Sequence, residues 1–171
     1  MHTDLTTTLA PARAASPPAS LLRRSVQRLT RGPAALHSPI ARWAITVLAV
    51  VGAGLTVWSG VIHLQLWSQG YRDISVIGPL FLVQGIASIV LALALVVFRR
   101  VFLLAAGAAL MAGTGVGLLL SATVGLFGYQ ESLAITDAQT SLMVEFIGAA
   151  VLAGAAVVLA AAPSRAGRAR R

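Results

Sequence analysis

Four long apolar runs dominate the chain, at about residues 40–66, 76–98, 101–127 and 138–162. Each has the roughly 20 residues needed to cross a hydrocarbon core about 30 Å thick. In lipid the backbone polar groups must be satisfied within their own segment, so each run is expected to be a helix. The connections are short: residues 67–75, residues 128–137, and little more than Arg99-Arg100 between the middle two. Such short links force antiparallel neighbours, so residues 40–162 are expected to form an all-α, four-transmembrane-helix antiparallel bundle. Pro79 falls in the first turn of the second run, where its missing N–H costs nothing.

The flanks read differently. Residues 1–39 are rich in Thr, Ala, Pro, Ser and Arg, too polar to offset ordering entropy, and are expected to be a disordered basic tail. Within it, residues 20–31 set Leu22, Val26 and Leu29 at i, i+4, i+7 among arginines. That spacing suits a short interfacial helix on an anionic leaflet; a solvated basic tail is the other reading. The first apolar run starts too late and runs too long for a cleavable signal peptide. Residues 163–171, PSRAGRARR, form a second basic tail.

Composition supports a membrane rather than water as solvent. Hydrophobic residues make up 57% and charged residues 11%, against roughly a quarter charged in soluble domains. The net charge of +8 comes entirely from arginine among the basic residues. Because these arginines flank apolar segments, anionic lipid headgroups are the expected partner and nucleic acid is not. The absence of cysteine excludes disulfides, thiolate metal sites and thiol catalysis.

Arginine placement also sets an orientation. Six arginines precede the first helix or lie in its first turn, two form the middle turn, four lie in the carboxy-terminal tail, and only Arg72 occupies a remaining loop. By the positive-inside rule both termini are cytoplasmic, in a multi-pass protein of the plasma membrane. The loops at 67–75 and 128–137 then face outward.

Small and polar residues recur along one face of each run, as helix association in lipid requires. Gly52, Thr56, Ser59 and His63 share a face of the first, and Gln84, Ser88 and Ala92 of the second. Gly113, Thr114, Gly117, Ser121 and Gly125 cluster on the third, with Gly113 and Gly117 in a GxxxG relation, and Ser141, Glu145, Gly148 and Ala149 on the fourth. At 1.5 Å rise per residue, His63 lies roughly 6 Å from the outer end of its run, and Gln84, Ser121 and Glu145 roughly 9–12 Å. These four make a candidate polar site in the outer half of the bilayer. Glu145 is the one carboxylate well inside a run, and an intramembrane carboxylate is a functional-site hypothesis by default. Its expected partners are His63, Gln84, Ser121 or a reaching Arg72. A structural hydrogen-bond knot that fixes helix register is the alternative, and both readings stand at this point. Trp67, Tyr71, Arg72, Asp73, Tyr129 and Glu131 form a candidate outer rim. The aromatic ones suit an interfacial belt, and Arg72 and Asp73 suit a local ion pair or a polar lid.

The run His63-Leu-Gln-Leu-Trp67, Gly70-Tyr71-Arg72-Asp73-Ile74 and Ile77-Gly-Pro-Leu-Phe-Leu-Val-Gln84 resembles a pattern, HLxLWxxGYRxIxxIGPLFLxQ, of an uncharacterised family of four-helix integral membrane proteins in high-G+C Gram-positive bacteria. Leu120 to Gly128 with Glu131, and Glu145 near the start of the last helix, are similar to that family's further features. The resemblance spans about residues 45–160 and implies fold and membrane location, but no activity. The layout is also loosely similar to that of DoxX-like four-helix proteins.

Enzymatic readings lack parts: there is no nucleophile-elbow serine, no paired carboxylates on one helix face and no Gly-rich loop after a strand. Neither a metal nor a cofactor is expected. Haem ligation would have to pair His63 with Met111 or Met143. A dual-orientation multidrug-type transporter needs a weak arginine bias, which this chain does not have. The leading expectation is a small binding or accessory (assembly) component, acting as a homo-oligomer or within a larger membrane complex. The alternative is a proton-coupled transporter or a quinone or haem redox subunit using Glu145 and His63.

Overall fold

Why the apolar runs stop where they do is visible in the computed structural model, which describes residues 18–134 and 136–162. Helices α1 (Pro18–Leu29), α2 (Pro39–Ser68), α3 (Ile77–Phe98), α4 (Val101–Thr123) and α5 (Thr136–Ala161) follow in order, with 3-10 turns at Pro33–Ala35 and Tyr71–Asp73. The expected all-helical architecture holds: α2 to α5 are each long and apolar enough to cross a membrane, with mean hydropathy from 2.0 to 2.7. Ser38 caps α2 by accepting from the Ala41 amide, with Pro39 at the first helical position. Arg99, in the left-handed region at φ 44°, ends α3, and extended Arg100 starts α4. Two residues therefore complete the reversal.

One boundary departs from the expectation. α4 stops at Thr123 rather than Phe127. Gly125, Phe127 and Gly128 all take positive φ, and Leu126 and Tyr129 exchange both backbone hydrogen bonds. The apolar Val-Gly-Leu-Phe stretch looks like more helix, but its glycines make a turn instead. The short helix that was one reading of residues 20–31 is present as α1, starting at Pro18 and ending at Leu29, and a 3-10 turn follows at Pro33–Ala35. α1 is tied down through polar contacts: Arg100 donates to the Thr30 carbonyl, the Val101 amide to the Arg31 carbonyl, and the Arg31 guanidinium to the carbonyls of Ala160 and Ala162. Residues 1–17 and the 163–171 tail lie outside the described residues.

Around the bundle α2 packs on both α3 and α5, and α5 on α4, whereas α3 and α4 touch sparsely despite their short link. The close approaches occur at small residues, as helix packing in lipid requires. A Cβ on Gly60 would lie 2.9 Å from Ser88 Cβ and 3.0 Å from the Gly85 carbonyl oxygen. The GxxxG pair is not such a contact: a Cβ on Gly113 or Gly117 meets nothing within 4 Å. Below the mid-plane, toward Arg99-Arg100, the interior is apolar, with Ile45, Ala49, Leu95, Leu104, Leu152 and Leu159 almost fully buried. Polar groups collect in the other half.

Candidate functional site

Glu145 and Ser141 lie one turn apart on α5, and His63 and Ser59 one turn apart on α2, so each pair shares a helix face. The packing of α2 on α5 brings the two faces together. Ser59 Oγ donates to Glu145 Oε1 at 3.2 Å and Ser141 Oγ donates to the same oxygen at 3.0 Å. His63 Nε2 stands 3.8 Å from Oε1, while Nδ1 lies 2.8 Å from the Ser59 carbonyl oxygen. Because a carbonyl only accepts, Nδ1 carries a proton, and Nε2 is a bare acceptor whenever the ring is neutral. Glu145 is fully buried, and its Oε2 has no hydrogen-bond partner among the described residues. With both serines donating to Oε1, any carboxyl proton resides on Oε2. Glu145 and His63 are thus close neighbours that make no direct hydrogen bond, since 3.8 Å exceeds hydrogen-bond distance.

The other two members of the expected site make no bond to Glu145, though each borders a cavity that His63 also borders. Gln84 does not reach Glu145; its Nε2 donates across to Thr114 Oγ1 at 2.8 Å and along α3 to Ser88 Oγ at 3.3 Å. Ser121 is shallower than expected because α4 ends early. It holds the α4–α5 connection, with its carbonyl accepting from the Glu131 amide. Arg72 is exposed and faces Asp73 at 3.9 Å, so it neither reaches Glu145 nor forms a lid.

Two cavities meet at His63. The first, about 130 Å³, lies between His63, Tyr71, Phe81, Ser121, Glu131 and Ser141. The second, about 330 Å³, opens sideways between α3 and α4, past Leu80, Gln84 and Gly113. His63, Phe81 and Thr114 border both. An aromatic column leads outward from the buried pair. Phe81 lies 4.9 Å from the His63 ring and 4.9 Å from Tyr71, and Tyr129 meets Tyr71 edge-on at 5.7 Å. Tyr71 and Tyr129 are therefore more than interfacial belt residues: Tyr71 donates to Glu131 Oε2 at 2.8 Å, Tyr129 to the same oxygen at 3.4 Å, and Glu131 is buried. Trp67 is half-buried and borders neither cavity.

Sequence reasoning placed Thr114 on the inner face of the third run and Phe81 within the motif, but counted neither among the site residues. Ser59 and Ser141 were legible as i−4 neighbours of His63 and Glu145, whereas Gln84 and Thr114 pair only through the meeting of α3 and α4. The haem ligand set does not fit: Met143 is 67% exposed, and Met111 is fully buried and points at Gly148.

Burial and the acceptor Glu131 hold the Tyr71 phenol well above the ordinary tyrosine range. A folded-state pKa above the unfolded value of about 10 gives stability that is complete below that pH and lost as pH rises above it. Thermal unfolding should therefore show an alkaline loss of stability above about pH 10. Tyr71→Phe should flatten that loss; a slope identical to the wild type would show that Tyr71 does not cause it.

No protein-family model, curated protein or solved structure matches the chain.

Proposed function

We propose that this multi-pass membrane protein is a binding or accessory component that holds a lipid-soluble small molecule with a hydrogen-bonding head. The observation that carries the reading is the fully buried Glu145, one oxygen of which lacks a partner, held beside the His63 ring that borders both cavities. Buried polar groups without partners are rare enough to require an explanation, and those inside membranes mark sites. The gap between α3 and α4 offers an apolar entrance from the lipid. His63, Gln84 and Thr114 supply donors and acceptors at its inner end, and Phe81 supplies a flat ring face.

The apolar interior on the Arg99-Arg100 side favours binding over proton-coupled transport. A proton or solute leaving Glu145 in that direction would meet buried Met111 and then apolar side chains such as Leu152, Leu104, Leu95 and Leu159. Kinship with the four-helix family that shares the His63–Gln84 motif is part of the same proposal. The test is native mass spectrometry of the protein in mild detergent, with organic extraction of what it retains. A stoichiometric apolar molecule, lost from His63→Ala, supports the reading. A ligand-free wild type whose site variants change only thermal stability leaves a structural clasp.

We also propose a plasma-membrane location with both termini cytoplasmic, on the strength of the twelve-to-one arginine distribution. A single cysteine can be placed anywhere in this cysteine-free chain. Ser75→Cys in the α2–α3 loop should react with a membrane-impermeant maleimide on intact cells, and Ser25→Cys only after lysis. The reverse pattern would invert the topology.

A further inference from the structure

We infer that the Arg99-Arg100 end of the bundle carries a dedicated site for the headgroup of one anionic phospholipid, seated between α1 and the α3–α4 turn. A cavity of about 700 Å³ lies there, bordered by Gln27, Thr30, Thr46, Phe98, Arg99 and Arg100. Every described arginine except Arg72 sits at this end. The described carboxylates Asp73, Glu131 and Asp137 are all at the opposite end, and Glu145 is buried in the other half, so the local charge is uncompensated.

The arginines divide by task. Arg31 and Arg100 are occupied with backbone carbonyls and fix α1 against the ends of α4 and α5. Arg99 makes no side-chain hydrogen bond among the described residues and is one of the residues that line the cavity. Its backbone conformation is equally informative. Arg99 occupies a left-handed helix-ending position at φ 44° and ψ 46°, where glycine is the usual residue and a side chain is strained. A side chain at that position is kept at a backbone cost, and a guanidinium beside the cavity matches the paired oxygens of a phosphodiester.

The surroundings fit a lipid rather than a free anion. Phe98 in the cavity wall is mostly exposed, and Val97 and Phe102 beside it present apolar surface along which acyl chains can run. Gln27 of α1 and the segment from Thr30 to Ala35 form the other wall, and α1 leaves Leu22, Val26 and Leu29 exposed on one face with its arginines around them. That is the arrangement of a helix lying in an anionic headgroup layer. The bundle pins this helix, so headgroup and helix meet at a fixed place. Diffuse attraction to the surface would not require a fixed place.

The experiment uses the full chain in nanodiscs of mixed phosphatidylglycerol and phosphatidylcholine, released into detergent and weighed by native mass spectrometry. One phosphatidylglycerol per chain should survive release, and phosphatidylcholine should not. Arg99→Gln should lower that retention about fivefold, the effect of one interfacial charge. Arg24→Gln, which removes the same charge from a side chain outside the cavity, should leave it unchanged. Arg99→Gly separates binding from folding, because glycine relieves the backbone: it should be at least as heat-stable as wild type in lipid-free detergent and still lose the lipid. Equal retention of both phospholipids would overturn the site. So would equal losses in Arg99→Gln and Arg24→Gln, or an Arg99-dependent adduct of inorganic phosphate with no phospholipid adduct.

Discussion

Glu145→Leu should give a bundle at least as heat-stable as wild type that no longer retains its small molecule. Leucine nearly matches the volume of glutamate and removes the unpartnered Oε2, and replacing a buried polar group with an apolar one of similar size is often neutral or stabilising. The two serines freed by the change can turn their hydroxyls to carbonyls one turn back on their own helices, as serines in helices do. A clasp that existed only to hold α2 against α5 would behave in the opposite way, since removing its acceptor would cost the bonds from Ser59 and Ser141. Glu145→Gln completes the pair. It keeps an acceptor for both serines but removes the ionisable group beside His63, so retention should fall about tenfold, the worth of one hydrogen bond to a charged group. Thermal unfolding in detergent and native mass spectrometry on the same samples decide between the readings. A destabilised Glu145→Leu with ligand still bound would end the binding proposal.

Of the four polar residues that helix periodicity grouped, only His63 stands beside Glu145, while Ser121 and Gln84 border the two cavities that meet at His63. His63 and Glu145 meet because a turn of helix carries Ser59 and Ser141 to the same place, a relation written in i, i+4 spacing. Gln84 lies at a similar depth but pairs with Thr114, across the sparse contact between α3 and α4. Depth and face alone do not say which neighbour a side chain meets. Ser121 was misplaced by the unrecognised turn at Gly125, which shortened α4 and moved the residue to the rim. Buried Glu131 owes its position to the same turn, which folds the chain back so that Tyr71, Tyr129 and Glu131 converge. The spans were legible because lipid leaves a backbone no alternative to the helix. The cavities were not: the larger one beside His63 lies where α3 and α4 fail to pack, and no spacing in either helix records that.

Glycine positions test this packing most sharply. Gly60→Ala should destabilise the protein by roughly 2–3 kcal/mol, the usual cost of overpacking a tight contact. Its new methyl would face Ser88 Cβ at 2.9 Å and the Gly85 carbonyl at 3.0 Å, and neither atom can move without shifting α3 as a whole. The displacement would also spread into the site, since His63 lies one turn beyond Gly60 and Gln84 precedes Gly85. Ligand retention should therefore fall together with stability, unlike in Glu145→Leu. Gly113→Ala provides the contrast. Nothing lies within 4 Å of its added methyl, and alanine is the better helix former by up to about 1 kcal/mol. That variant should unfold at or above the wild-type temperature, although Gly113 and not Gly60 belongs to the recognisable GxxxG pair. If the two substitutions cost the same, α4 uses its glycines against another chain, and the α2–α3 contact is not the tight seam of the bundle.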